Sequence, residues 1–280
     1  MDTDRQLRAL DALDTAVPAR IGVAQRIWST VWPVLGALAL AVGLWELVVL
    51  SGWKDPWVLP GPGEVLPRLW HDLGDPRFWS GLGLTMRRAV AGFGLAVGIG
   101  VAAAVLATRP RPLRIALSTL ITGLQTMPSI AWFPLAILLF QLSEQAILFV
   151  VVLGAAPSVA SGLISGIDHT PPALLRAARV LGVRGFGWYR YVLLPAALPA
   201  FVTGLKQGWA FAWRSLMAGE LLVVIGHSPS LGVRLEFARQ LSDSTEILAT
   251  MIVIMLIGIV VDGLFTLADH VVRARRGLTG

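Results

Sequence analysis

Not one of the 280 residues is a cysteine, so disulfides, thiol catalysis and iron–sulfur chemistry are excluded at once. Charge is scarce as well. Asp, Glu, Lys and Arg make up 14% of the chain, where a soluble domain carries about 25%. No phosphate loop of the form Gly-x-x-x-x-Gly-Lys-Ser/Thr occurs, so the chain is not expected to hydrolyse ATP itself. His71, His169, His227 and His270 are scattered and lack the His-Glu-x-x-His spacing that sets two imidazoles around a zinc ion. No metal site, and no cofactor bound by this chain, is expected. A Gly-x-Ser-x-Gly elbow is also missing, which leaves an intramembrane hydrolase without its nucleophile motif. About 26 residues at the start carry Arg5, Arg8, Arg20 and Arg26 among acids, with no apolar core. A cleavable signal peptide is therefore not expected, and the first span would act as its own insertion signal.

What is abundant is apolar surface, at 55% hydrophobic residues. Runs near 20 residues recur, the length that crosses roughly 30 Å of hydrocarbon. They predict an all-α, polytopic membrane protein with about six spans: 31–50, 84–107, a broken block over 113–127 and 131–140, 146–167 interrupted at Pro157, 195–225 and 247–272. Trp28 and Trp32 at one end of the first span, and Trp53 and Trp57 at the other, place indoles at the two headgroup levels. Glu46 lies close enough to the outer end to reach water.

The net charge of +6 fits arginine-rich inner loops and anionic lipid better than nucleic acid. With six spans and both termini in the cytoplasm, about twice as many Lys and Arg fall inside as outside. The expected organisation is a cytoplasmic tail over 1–30 and a single transmembrane domain over 31–280.

Finer signals sit between the runs. The turn-rich Leu59-Pro60-Gly61-Pro62-Gly63-Glu64 leads into an amphipathic helix over 64–73, with Val65, Leu66, Leu69, Trp70 and Leu73 on one face, suited to the membrane surface. Asp75-Pro76 breaks it. Arg87 and Arg88 are expected to snorkel at the outer interface. Gly94 and Gly98 have the small-xxx-small spacing that lets helix backbones approach in lipid. Met127-Pro128-Ser129 breaks the third run, which lipid tolerates only against protein or a watery path. Gln125, Met127, Pro128 and Ser129 at that break are candidates for a constriction or gate, beside simple kinking.

The loop over 168–194 is polar and arginine-bearing, yet lies between two spans. Thr170 is expected to cap a helix of about ten residues from Ala173 to Leu181, and Gly182 to end it in the left-handed region. Leu174, Leu175, Ala178 and Leu181 recur at helical spacing, which fits either a connector resting on the membrane or a knob for a cytoplasmic partner.

At Arg176-Ala177-Ala178, three residues, Gly182, nine residues, Val192, one residue, Leu194-Pro195, the chain resembles the membrane permeases of bacterial ABC importers. Arg176 departs from the family pattern, which has an acid there. Trp45-Glu46-Leu47, the run 59–65, the run 85–93, Met127-Pro128, Ala210-Phe211-Ala212-Trp213 and Ala218-Gly219-Glu220-Leu221 are similar to the permeases for nitrate, aliphatic sulfonates and taurine. The resemblance implies a type I importer fold in the bacterial inner membrane. It implies a second copy of the permease, two cytoplasmic ATP-binding subunits that use ATP and magnesium, and an extracytoplasmic solute-binding protein. It also implies that Pro172, Leu174, Leu175, Arg176, Ala177, Ala178, Leu181, Gly182 and Val183 form the helix that couples to the ATPase.

Lys206, Gln207, Arg214 and Glu220 interrupt the fifth span. Buried ionisable groups usually face a bundle interior or a cavity, so these are candidates for the translocation path. A guanidinium at Arg214 suits sulfonate or nitrate oxygens; an internal salt bridge to Glu220, Glu46 or Asp262 is the competing reading. The function expected is an importer permease for a small anion. A permease for a neutral or cationic metabolite, an intramembrane enzyme and a purely structural scaffold are the alternatives.

Overall fold

The computed structural model of the chain describes residues 23–108, 111–225 and 229–274. The tail arginines Arg5, Arg8 and Arg20, together with Arg109, His227, Arg275 and Arg276, lie outside the described residues. Among the described residues every regular element is helical. They group into two compact units, one ending at Pro62 and one starting at Gly63.

The first unit is built on α1 (Val23–Leu50), which runs through Pro33. Trp28 and Trp32, one turn apart, stack with ring centroids 6.0 Å apart. The indole N–H of Trp45 donates to the Pro60 carbonyl at 3.2 Å, tying the turn after α1 back onto the helix.

The second unit opens, from Gly63 on, with α2 (Pro62–Leu73). Its apolar residues do not share one environment: Val65 is buried, whereas Leu66 and Trp70 are exposed. Asp75-Pro76 ends α2 by starting the next helix. The Asp75 carboxylate accepts from the Arg77 N–H at 2.9 Å, and Pro76 takes the first helical position of α3 (Pro76–Leu106). Then come α4 (Arg111–Thr126), a four-residue 3-10 turn Ser129–Trp132 and α5 (Phe133–Phe140). The two halves of this block are bent by 100° at the Met127-Pro128 break. Gln141, at φ 58°, reverses the chain into α6 (Glu144–Asp168).

The expected interruption at Pro157 is absent: α6 is one helix of 25 residues with Pro157 buried inside it. A proline removes a single N–H, and close packing on neighbouring helices holds the turn together. After α7 (Pro172–Val180), a short turn Phe186–Trp188 and a π-helical stretch Tyr189–Leu193 lead into α8 (Leu194–Leu222). The chain finishes with α9 (Leu231–Gln240), capped by Ser230, and α10 (Ser244–Ala274).

Among the described residues four helices, α1, α3, α6 and α10, are long and apolar enough to cross a bilayer, and the bent α4–α5 block makes a fifth if it is counted as one span. The remaining expected span, the fifth in chain order, is α8. At 29 residues, about 43 Å, it is long enough, but Lys206, Gln207, Arg214 and Glu220 dilute its hydropathy.

The core lies where α6 packs between α3 and α8, around Ile147, Val150, Val151, Trp209 and Leu216. Along the α6–α8 seam the backbones touch. A Cβ built on Gly162 would stand 2.6 Å from the Gly204 Cα. The glycine pair expected to pack on α3 is not the one that does: Gly94 and Gly98 face open space, while Gly92 and Gly100 meet Val151 and the Ala156 carbonyl of α6. Gly92, Ala96 and Gly100 also step by four residues, on the opposite flank of the helix.

Candidate functional site

The loop between α6 and α8 carries α7, nine residues long. Thr170 does not cap it. Pro171 is the N-cap residue, and Thr170 is buried with its hydroxyl directed to the Gly166 carbonyl of α6 at 3.3 Å. The C-terminal end is as the glycine predicted. Gly182 has φ +72°, its N–H donates to the Arg179 carbonyl, and the Val183 N–H donates to the Ala178 carbonyl, both at 3.0 Å. These two bonds form a Schellman stop, which needs a residue without a Cβ at the left-handed position.

α7 stands out from the bundle with one side anchored. Ala178 is buried and Leu175 and Val183 are half-buried, whereas Pro172, Leu174, Arg176, Ala177, Leu181 and Gly182 are exposed. Val180 is 87% and Leu181 79% exposed, a bare apolar tip on an otherwise basic rod. At its base, Arg114 on α4 forms an ion pair with Asp168, the last residue of α6. The root of the loop, at the end of α6, is thereby tied to α4.

The polar residues of α8 separate into three situations. Lys206 turns to α10, 3.1 Å from Asp262 and 2.9 Å from the Thr266 hydroxyl. Gln207 and Arg214 are exposed, and Arg214 borders a groove between α8 and α10 that Met251, Met255 and Asp262 also line. The Arg214 guanidinium folds back on its own helix, donating from Nε to the Ala210 carbonyl at 3.0 Å and lying 4.8 Å from the Phe211 ring. No acid pairs with it among the described residues: Asp262 is taken by Lys206 and Glu220 by Arg88. Thr203, Gln207 and Arg214, at helical steps of four and seven residues, fall within about 40° of one another, so α8 presents a polar stripe.

Glu220 is fully buried and does not face an open path. Its carboxylate accepts from Arg88 Nη1 at 3.0 Å, from the Thr85 hydroxyl at 2.9 Å and from the Gly232 N–H at 3.1 Å. Thr85 in turn accepts from the Leu231 N–H at 3.0 Å. The network joins α3, α8 and the start of α9. Arg88 extends it to Glu144, the first residue of α6, at 3.1 Å. Of the two arginines expected to snorkel, Arg87 is exposed, whereas Arg88 is 3% exposed at its side chain and turned into the bundle.

At the α4–α5 break, Met127 and Pro128 are exposed and Gln125 is half-buried. The Gln125 amide donates to Ser161 Oγ at 3.3 Å and lies 3.5 Å from Ser158 Oγ, both on α6. Ser158 and Ser161 were not singled out from the sequence. The signal that could have found them is a small residue at every fourth position of α6, from Gly154 through Ser158 and Gly162 to Gly166.

Comparison with known proteins gives this geometry its context. Residues 79–274 match the family model described as binding-protein-dependent transport system inner membrane component. A Methanocaldococcus jannaschii protein named as an ABC transporter permease is 32% identical over 80% of this chain and 84% of its own length. A Bacillus subtilis protein named for aliphatic sulfonates transport, as a permease, is 28% identical over 83% of each chain. The Escherichia coli taurine transport system permease protein is 26% identical over 82% of this chain and 87% of its own. Among solved structures, an amino acid ABC transporter superposes with a TM-score of 0.57 at 20% identity, covering 75% of this chain and 98% of that one.

Proposed function

The chain belongs to the family of binding-protein-dependent transport system inner membrane components, and from that premise we propose that it is the permease subunit of an importer for a small organic anion such as an aliphatic sulfonate. The observation that carries the reading is α7, a capped rod with a bare tip of Val180 and Leu181. A rod of this kind has nothing to do within its own bundle. It fits a groove on a cytoplasmic ATP-hydrolysing subunit, which uses ATP and magnesium. Two such subunits, closing on two permease copies, bring two rods together. Helices α6 and α8, joined through the loop, then rock between inward-open and outward-open states. The work comes from the partner binding the two states unequally, since a ligand matched equally to both shifts nothing.

The polar stripe of Thr203, Gln207 and Arg214 supports a second copy of this chain across a watery path. Lipid against a guanidinium on an isolated helix costs several kcal/mol, on the order of 2.5–3.5 even on the mildest scale. Residues 31–280 then act as one transmembrane domain, fed from outside by a solute-binding protein, with both termini in the cytoplasm.

The test uses the lack of cysteine. Ala177→Cys places a single thiol on α7. It is expected to cross-link to the ATPase subunit in native membranes and to resist impermeant maleimide added to intact spheroplasts. Labelling from outside would overturn the orientation and with it the coupling role.

A further inference from the structure

We propose that the groove between α8 and α10 is a binding site for an organic oxyanion with an apolar body, such as an alkanesulfonate. Arg214 and the indole N–H of Trp213 take the head, and the indole faces and nearby methionines take the tail. The proposal deepens the reading of the chain as an anion permease and rests on it.

The groove is one cavity of about 580 Å³. That size suits a small organic ligand and falls short of the two chains of a phospholipid. It begins beside Leu235 of α9 and follows α8 and α10 as far as Asp262. α8 starts at the loop that carries α7 and ends at the connection to α9. The groove therefore lies toward the end of the bundle away from α7, the outer end in the reading above.

Its free polarity is of one kind. Arg214 spends Nε on the Ala210 carbonyl, and its terminal nitrogens meet no acceptor among the described residues. Trp213 turns its N–H edge toward α10, since a Cβ built on Gly258 would stand 3.6 Å from Trp213 Nε1. An independent observation concerns Trp209, which lines the same groove. It is 6% exposed, and its buried indole nitrogen has no hydrogen-bond partner. A buried donor left unpaired costs free energy, so such groups are rare unless something else satisfies them. The one acid in the lining is Asp262, and Lys206 lies 3.1 Å from its carboxylate. A cation with spare donors and a compensated acid favour an anionic occupant.

The rest of the lining selects the body of that anion. Trp209 and Trp213, one turn apart, stack with ring centroids 6.3 Å apart and form an aromatic wall. Met217, Met251 and Met255 line the same groove, so three of the six methionines in the chain gather here. Unbranched thioethers adapt to occupants of different shape, which suits alkyl tails of varied length. An inorganic oxyanion would leave this apolar lining unused.

The experiment uses the permease–ATPase complex without its binding protein, which would otherwise set the apparent affinity. Equilibrium binding of radiolabelled ethane-, butane- and hexanesulfonate is measured for the wild type, Trp213→Phe, Arg214→Gln and Gly258→Leu. Partition into detergent is common to all four, so differences between them read the groove. Wild-type affinity is expected to rise about fourfold per methylene, the worth of burying each one. Trp213→Phe keeps the ring and loses the N–H. It should weaken all three ligands roughly tenfold with the same gain per methylene, and Arg214→Gln at least as much. Gly258→Leu fills the groove from α10, where a new Cβ makes only ordinary contacts with Trp213. Leucine also favours a helix more than glycine does, so the thermal midpoint should hold while the gain with chain length disappears. A purely structural role for these residues would move the midpoint and leave that gain intact. Two results overturn the site: the same gain in Gly258→Leu as in the wild type, or a co-purified phospholipid that hexanesulfonate does not displace, seen by native mass spectrometry. Either leaves the function standing if the complete transporter takes up sulfonate in proteoliposomes. A wild-type transporter that neither binds nor moves any sulfonate overturns both.

Discussion

Arg88 and Glu220, 132 residues apart in the chain, form an ion pair of 3.0 Å with both side chains out of contact with solvent. Every lone pair of that carboxylate that the geometry reaches is used, by Arg88, Thr85 and the Gly232 N–H. Removing one partner of such a pair leaves a buried charge uncompensated, which costs about 3–5 kcal/mol. Arg87, next in sequence, pairs with Glu144 from a side chain that is 68% exposed. Surface pairs of that kind are worth about 1 kcal/mol or less. Arg88→Ala is therefore expected to lower the thermal midpoint of the solubilised protein sharply and Arg87→Ala hardly at all. Equal losses from the two would refute the assignment of Arg88 to the interior.

A similar contrast holds for glycines. At Gly162 an added methyl meets the backbone of Gly204, which has no flexible end to move aside. Gly162→Ala is expected to split the α6–α8 seam and cost more than about 3 kcal/mol, at the upper end of overpacking effects. Gly94→Ala and Gly98→Ala meet nothing within 4 Å in the chain and should leave the single subunit unchanged or slightly firmer. The measurement is the yield of monodisperse protein in size-exclusion chromatography, followed by thermal unfolding.

These contrasts mark what could be read in the residues beforehand. The long apolar runs were legible because hydropathy summed over about 20 residues does not depend on which helix is the neighbour. The end of α7 was legible because a left-handed stop is local chemistry, needing only Gly182 and the residues before it. Pairings were not. Arg88 looks the same as Arg87 until α8 supplies Glu220. Gly94–Gly98 and Gly92–Ala96–Gly100 have the same spacing, and only the position of α6 decides between them. The α4–α5 break was visible as Met127-Pro128-Ser129, but the Ser158 and Ser161 hydroxyls that meet Gln125 beside it belong to α6.

Gly182 supplies the sharpest test of the coupling role proposed for α7. Forcing a side chain into the left-handed region costs roughly 1–2 kcal/mol per residue. Gly182→Ala should fray α7 without touching the core, since nothing lies within 4 Å of the new Cβ. The expected result is a normally folded permease whose ATPase partner dissociates during purification. Gly182→Asn should retain more of the complex, because asparagine enters that region at lower cost. Full association of both variants would remove the rod's geometry from the coupling step.

Arg214 and Lys206 are expected to respond in opposite ways, although both are cations on α8. Lys206 is engaged with Asp262 and Thr266 on α10, so Lys206→Met leaves an unpaired carboxylate between two helices and should weaken the packing of α10. The reversal Lys206→Asp with Asp262→Lys should recover part of that loss. Arg214 makes no ion pair among the described residues and rests on its own helix and on Phe211. Arg214→Gln removes no acid partner, so the thermal midpoint should stay close to wild type. Initial uptake of ethanesulfonate should nevertheless fall several-fold at low salt, and the gap should narrow as ionic strength rises, because a cation on the path attracts anions through a field that salt screens. Uptake of a zwitterionic sulfonate should be less affected than that of ethanesulfonate. A variant that unfolds early, or whose uptake deficit is the same at every ionic strength, would show that Arg214 acts by holding helices together and not by drawing in the solute.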